Sequence, residues 1–184
     1  YLNFGVKTRA AIAVAVLAGY GALSALVAAP DAAGAGPLTF EGNLAGYIDR
    51  QFLPGKLIYG SFDPEGLLST VPAVVTAMLG MFTGEFVRRG DIRGGRKTLW
   101  MAAAAAALLA AGLAFSGVLP VNKKLWSSTF VCVVGAYSLG MFALFYYLID
   151  VRGWRRWTLF FRVVGLNSIT IYLAQRIVCL LYTS

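Results

Sequence analysis

Five runs of about twenty almost entirely apolar residues constrain the fold of this chain more than any other feature. A helix needs about 20 such residues to cross roughly 30 Å of hydrocarbon. Only helices and closed barrels satisfy their backbone groups in lipid, and these runs lack the alternation of a barrel strand. The sequence therefore predicts an all-α fold, a polytopic transmembrane helix bundle with about five membrane-spanning helices, at Ala10–Ala29, Leu67–Val87, Thr98–Val118, Ser127–Ile149 and Leu159–Leu181.

Composition agrees with a lipid bilayer as the main partner. Hydrophobic residues make up 59% of the chain and charged residues 13%, against roughly 45–50% and 25% in soluble domains. The net charge of +8 comes from short basic clusters between apolar runs. Membrane topology explains such clusters more simply than nucleic acid does, so we expect no nucleic-acid partner.

The chain has few residues suited to metal or acid–base chemistry. Cys132 and Cys179 both lie inside apolar runs, which favours neither a disulfide nor a metal site. Histidine is absent from the sequence, so acid–base chemistry by these residues alone would rely on carboxylates, Lys or Tyr. We expect no metal.

Basic residues in the connections predict the orientation. Lysines and arginines precede the first run and crowd the second and fourth connections, and the positive-inside rule makes that side cytoplasmic. The N-terminus is then cytoplasmic, and the first and third connections share the outer face. The cytoplasmic basic residues are Lys7, Arg9, Arg88, Arg89, Arg93, Arg96, Lys97, Arg152, Arg155, Arg156 and Arg162.

The first connection, residues 30–66, is too long for a turn. Apolar residues recur at roughly helical spacing between Asn43 and Leu53. We therefore predict an outer loop that carries a short amphipathic helix lying on the membrane surface.

The first polar motif, Phe62 to Thr70, stands at the mouth of the second run. Pro64 suits the first position of a helix and Asp63 suits its N-cap, so Asp63 is either structural or part of a site. Capping does not require Glu65, which is a candidate general acid/base or hydrogen-bond acceptor for a sugar hydroxyl.

Ser69 and Thr70 are further candidates for this site, although hydroxyls in membrane helices more often bond to their own backbone. Pro72 removes a backbone hydrogen bond and predicts a bend. Gly80 and Gly84 are spaced to pack against a neighbouring helix.

The second motif places Asn122, Lys123, Lys124 and Trp126 in a short outer connection. A helix-hairpin loop with an interfacial Trp is the simplest explanation of Trp126 in this motif. Two adjacent lysines on the outer side also predict attraction of an anionic group.

The last run carries Asn167, a further site candidate, and a stripe of Ser168, Tyr172 and Gln175 at helical spacing. We expect this stripe to face the bundle interior, either for function or for bonding between helices.

With these residues in order, the chain resembles the heparan-α-glucosaminide N-acetyltransferase family, including bacterial relatives classified as a domain of unknown function. The resemblance is carried by Gly60–Pro72, Leu119–Ser128 and Phe161–Ile169 with the following Tyr172. It implies a membrane enzyme that moves acetyl from cytosolic acetyl-CoA to an amino sugar across the membrane.

The resemblance also implies that residues 1–184 are the C-terminal part of a single membrane-embedded acyltransferase domain. The family's catalytic histidine lies on an outer loop of the N-terminal half, so we expect the fragment alone to be inactive. Its partners would be the missing N-terminal helices, the acceptor and possible further copies of itself, and the Ala-rich spans suggest a bacterial inner membrane. Candidates for the acceptor and acetyl sites are Asp63, Glu65, Asn122, Lys123 and Asn167.

A transporter or permease subunit is the main alternative, with the Pro-broken second run and the polar stripe forming a path. Transporters often carry paired broken helices, and only one such run is evident. A purely structural membrane scaffold would leave Glu65 and the lysine pair unexplained.

Overall fold

A computed structural model describes residues 4–183 and confirms the all-α prediction. Seven α-helices occur in this range: α1 Val6–Leu26, α2 Leu44–Phe52, α3 Thr70–Arg88, α4 Gly94–Ala114, α5 Ser128–Tyr146, α6 Thr158–Leu166 and α7 Ser168–Thr183. A π-helical turn, Tyr147–Val151, continues α5. The chain divides into two compact units, residues 1–143 and 144–184.

Four of the five predicted spans are confirmed as helices long and apolar enough to cross a membrane. They are α1, α3, α4 and the continuous segment Ser128–Val151. The fifth predicted span is not one straight helix. It is the pair α6 and α7, bent by 67° at Asn167, so the described part of the chain has four spans, or five if the bent pair counts as one.

A small apolar core holds the first unit together. Val75 and Met78 of α3 pack with Ala13 of α1 and Val131 of α5, and Val75 and Val131 are each only 1% exposed. Small and branched side chains permit this close approach of helices. The core lies where α1, α3 and α5 meet.

An ion pair joins α1 to α3 at one end of this unit. The Arg9 guanidinium donates to both carboxylate oxygens of Glu85, at 2.7 and 2.8 Å. The buried Lys97 of α4 donates to the Val87 carbonyl at 2.7 Å. We call this the basic end, because the end of α3, the connection that follows it and the start of α4 also carry Arg88, Arg89, Arg93 and Arg96.

In the second unit, the described side chains of α6 and α7 are exposed except for the half-buried Thr158. Its Trp157 ring packs edge-on against Phe161 and obliquely against Phe145. The predicted stripe of Ser168, Tyr172 and Gln175 is exposed within this unit, and Tyr172 is 59% exposed. The unit therefore does not itself bury the stripe.

Candidate functional site

Asp49 is the most deeply placed polar side chain at the end of the first unit opposite the basic end. It lies on α2 with 0% exposure. Its carboxylate accepts the backbone N–H of Leu67 at 3.0 Å and that of Asp63 at 3.3 Å. Asp49 thus holds the first polar motif against α2.

Sequence reasoning did not single out Asp49. The available signal was a carboxylate one helical turn after Ala45, on the face of α2 that is buried. A buried carboxylate needs hydrogen-bond partners, and here they come from backbone 14 and 18 residues further along.

Position 66 must be a glycine, because a side chain there would overlap the Asp49 carboxylate. A Cβ atom at position 66 would lie 2.1 Å from Asp49 Oδ2 and 2.3 Å from Oδ1. No side chain fits at such distances, so the glycine of the motif makes room for the carboxylate.

The pKa values of two carboxyls in the first connection move in opposite directions. Burial raises the pKa of Asp49, while the hydrogen bonds from Leu67 and Asp63 act to lower it. The hydrogen-bonded Arg50 guanidinium lowers the pKa of the exposed Asp31.

Arg50 ties together three parts of the loop. It forms a bidentate pair with Asp31, at 2.7 and 2.8 Å, and it donates to the Ser61 carbonyl. The Asn43 side chain caps α2 by accepting the Gly46 N–H at 2.6 Å. The first connection is therefore a folded element rather than a loose loop.

Asp63 is not the N-cap of a helix beginning at Pro64, as the sequence suggested. Its carboxylate accepts the Glu65 N–H at 2.9 Å, which closes an Asx-turn. Helix α3 begins only at Thr70, because Asp49 holds residues 63–67 in turns. The Glu65 side chain is exposed.

The hydroxyls of Ser69 and Thr70 both donate to the Gly66 carbonyl, at 3.0 and 2.9 Å. This agrees with the expected bonding to their own backbone. Pro72 is the third residue of α3. At that position a backbone N–H has no partner within the helix, so the predicted bend is not required there.

The second motif is also built on an Asx-turn. Asn122 Oδ1 accepts the Lys124 N–H at 2.9 Å, and the Asn122 N–H donates to Ser127 Oγ at 3.0 Å. The Ser127 hydroxyl lies 3.0 Å from that of Thr129. The side chains of Lys123 and Lys124 are exposed.

Trp126 lies in the left-handed backbone region, with a φ of 49°, which costs a non-glycine residue about 1–2 kcal/mol. The indole packs against the core around Val75 and Met78 and edge-on against Phe130. Packing compensates the strain, so Trp126 contributes to the apolar core of the first unit.

Helix α1 anchors the second motif. The Tyr20 hydroxyl donates to the Leu125 carbonyl at 2.5 Å, and the Ser128 hydroxyl donates to the Leu17 carbonyl at 2.7 Å. The first motif leads into α3, which packs against α1. Both motifs therefore lie at the same end, which we call the motif end.

Lys124 links the second motif to two aromatic rings that pack on the first motif. Its ammonium lies over the rings of Tyr59 and Phe40, 4.5 and 5.1 Å from their centroids. Both rings stack on Phe62, the first residue of the first motif, with centroids 5.2 Å apart.

Asn167, a further candidate from the sequence, belongs to the second unit. Its side-chain amide donates to the Val163 carbonyl at 2.8 Å, beside the break between α6 and α7.

A groove of about 760 Å³ opens between α3, α4 and α5. It runs along Thr76–Phe86, Trp100–Leu108 and Gly135–Phe142, and its walls are mostly apolar. Gly80 and Gly84 lie on it, and a Cβ at either would meet nothing within 4 Å. The neighbour expected at these glycines does not come from the described residues.

Among residues 4–183, no group of three or more His, Cys, Asp or Glu side chains could hold a metal ion. What the motif end offers is carboxylates, ammonium groups and aromatic rings. Such groups bind and orient polar ligands.

The fold and the motif end together define a polytopic α-helical membrane protein with a structured polar face on one end of its bundle. No protein-family model matches the chain. It is 31% identical to heparan-α-glucosaminide N-acetyltransferase of Homo sapiens over 157 aligned residues, and this match covers 74% of the chain and 23% of the human protein. The same enzyme of Mus musculus is 30% identical over 154 residues, with the same coverage.

The chain belongs to the heparan-α-glucosaminide N-acetyltransferase family. It spans about a quarter of the length of the curated relatives that it matches.

Proposed function

We propose that this chain forms the acceptor-side part of a membrane N-acetyltransferase that moves acetyl from acetyl-CoA to an amino sugar. The observation that carries the proposal is the identity with two N-acetyltransferases across 74% of the chain. The motif end supports it, because two polar segments distant in sequence meet there through Lys124.

The reaction joins the amine nitrogen to the acetyl carbonyl carbon and breaks the thioester C–S bond. The nitrogen loses a proton to a base, and the leaving thiolate takes up a proton. This chain has no histidine, so the family's histidine would come from residues outside this sequence. Its own residues would bind and orient, with Glu65 accepting a hydrogen bond from a sugar hydroxyl and Lys123 attracting an anionic group.

The rest of such a protein would supply further helices. We propose that one of them fills the groove between α3, α4 and α5, because the matched relatives are about four times as long as their matched part and Gly80 and Gly84 offer a smooth face. We further propose that the motif end faces the outer side of a bacterial inner membrane, in keeping with the arginine cluster at the basic end.

The test uses the full-length protein, labelled acetyl-CoA and glucosamine. We expect Glu65→Gln and Lys123→Ala to lower kcat/KM at least about tenfold, which corresponds to about 1.4 kcal/mol of lost transition-state stabilisation. Matched controls are Glu41→Gln and Lys56→Ala, because these exposed residues lie in the same outer loop. Wild-type rates in both site variants would remove these residues from the site.

One observation favours a transporter instead. The α6–α7 pair is broken at Asn167, and broken helices often form transport sites. Uptake of amino sugar into vesicles without acetylation, abolished by Asn167→Leu, would support this alternative.

A further inference from the structure

Three aromatic rings at the motif end form a continuous stack. Phe62 is 2% exposed and stacks nearly parallel with Phe40 and with Tyr59. The Tyr59 N–H donates to the Phe62 carbonyl, and Gly60 adopts a φ of 77° in the turn between them. The rings are thus fixed by the backbone of the folded outer loop.

Two of these rings, those of Phe40 and Tyr59, hold a cation. The Lys124 ammonium lies within 5.1 Å of both ring centroids. A cation within about 6 Å of a ring face is attracted by the negative face of the π system, and cages of this type recognise substituted ammonium ligands. We call Phe40, Tyr59 and the underlying Phe62 the aromatic cage.

The cage is accessible from solvent. Tyr59 is 50% and Phe40 39% exposed. A cationic ligand can therefore reach these two rings.

The Lys124 ammonium can leave the cage without unfolding its loop. The backbone of Lys124 is held separately, by the bond from its N–H to Asn122 Oδ1. The side chain is a flexible four-carbon stem. Moving the ammonium away therefore needs only a change of rotamer, and another ammonium could replace it.

We propose that the aromatic cage binds the protonated amine of the acceptor amino sugar, and that Lys124 occupies the cage until the acceptor displaces it. This inference rests on the proposed function, since that function makes the acceptor an amine. The amine would leave the cage when it gives up its proton for acetyl transfer, because a neutral amine loses the cation–π attraction. Product release would follow from the same chemistry, since an acetamide carries no charge.

The test measures equilibrium binding to the full-length protein in nanodiscs without acetyl-CoA. The probes are glucosamine, tetramethylammonium and the neutral N-acetylglucosamine. We expect Lys124→Met to bind the first two about threefold more tightly or better, because their competitor is gone. Binding of N-acetylglucosamine should not change, and Lys56→Met should bind all three like the wild type.

Ring variants complete the test. Tyr59→Leu added to Lys124→Met should abolish the gain, whereas Tyr59→Phe should retain it, because it keeps the ring. Unfolding temperatures would show that each variant is folded. Unchanged or weaker binding of both cations by Lys124→Met, or full retention of the gain in the Leu variant, would overturn the proposal.

This outcome is separable from that of the proposed function. Tetramethylammonium cannot be acetylated, so its binding reports on the cage alone. Acetyl transfer without cation binding would reject only the cage, and cation binding without acetyl transfer would reject only the transferase.

Discussion

At the scale of single residues, Asp49 explains more of the candidate site than any residue of the two motifs. Its buried carboxylate fixes Asp63 and Leu67 on either side of Glu65. The contact with Gly66 leaves no space for a side chain. Glu65 lies on the turn between Asp63 and Leu67, so the position of its exposed side chain depends on Asp49.

Substitution of Gly66 tests the close contact with Asp49. Gly66→Ala should lower the free energy of unfolding by about 1–3 kcal/mol, because the new Cβ overlaps the carboxylate. The double variant Gly66→Ala/Asp49→Ala should lose less free energy of unfolding than the two single variants together, because removing the Asp49 carboxylate also removes the overlap. Unfolding of the wild type, the two single variants and the double variant in detergent measures these free energies. Gly117→Ala is the control, because a Cβ at that position meets no neighbouring atom within 4 Å. If the losses of the two single variants simply add in the double variant, the proposed contact is wrong.

The raised pKa of Asp49 predicts a pH dependence. A carboxyl whose pKa folding raises contributes stability that is complete below its unfolded pKa, about 3.9, and is lost as the pH rises through the folded pKa. Because Asn does not titrate, the stability difference between wild type and Asp49→Asn should be largest in acid and shrink toward neutral pH.

Unfolding between about pH 2 and pH 7 measures this difference. Asp31→Asn is the opposite control, because Arg50 lowers the pKa of Asp31. The contribution of Asp31 to stability is therefore present above the pKa that Asp31 has in the unfolded chain. It is lost as the pH falls through the lower pKa that Asp31 has in the folded protein. A constant difference between wild type and Asp49→Asn would refute the prediction.

At the scale of elements, α1 organises the first unit. It contacts the second motif through Tyr20 and Leu17, and it contacts α3 through Arg9 at the basic end. The same helix therefore connects both ends of the unit. Loss of either contact should loosen the packing of α1 on α3.

The Arg9–Glu85 pair can be tested against an exposed pair of the same kind. The Arg9 side chain is 8% exposed and that of Glu85 44%. Glu85→Gln should cost about 1–3 kcal/mol, because it weakens a charge-assisted bond to a buried guanidinium. The exposed pair Arg89–Asp91 provides the control Asp91→Asn, for which we expect no measurable change. Equal unfolding temperatures for the two variants would contradict the assignment.

At the scale of the whole molecule, the described residues leave open a groove of about 760 Å³ between α3, α4 and α5. Its apolar walls suit a membrane helix or lipid, and the two glycines remove side chains where a helix would approach. The family relation and the partial coverage of the relatives favour a helix of the same protein.

Bulky substitutions in the full-length protein distinguish helix from lipid. Gly80→Leu and Gly84→Leu should reduce acetyl transfer and the yield of folded protein if a helix docks there, because its backbone can no longer approach. Ala103→Leu, on an exposed part of α4, should have little effect. If the glycine variants behave like this control, lipid fills the groove.

The sequence by itself determined the membrane class, the all-α fold and four of the spans, because apolar runs of about 20 residues leave a chain few alternatives in a bilayer. It also identified the two polar motifs and their resemblance to the N-acetyltransferase family. Only the tertiary structure decided that α3 begins at Thr70, that the last span breaks at Asn167 and that Lys124 lies over Phe40 and Tyr59. Local propensity cannot predict the start of α3 or the place of Lys124, because they depend on contacts between residues far apart in the chain, such as Asp49 with Leu67 and Lys124 with Phe40.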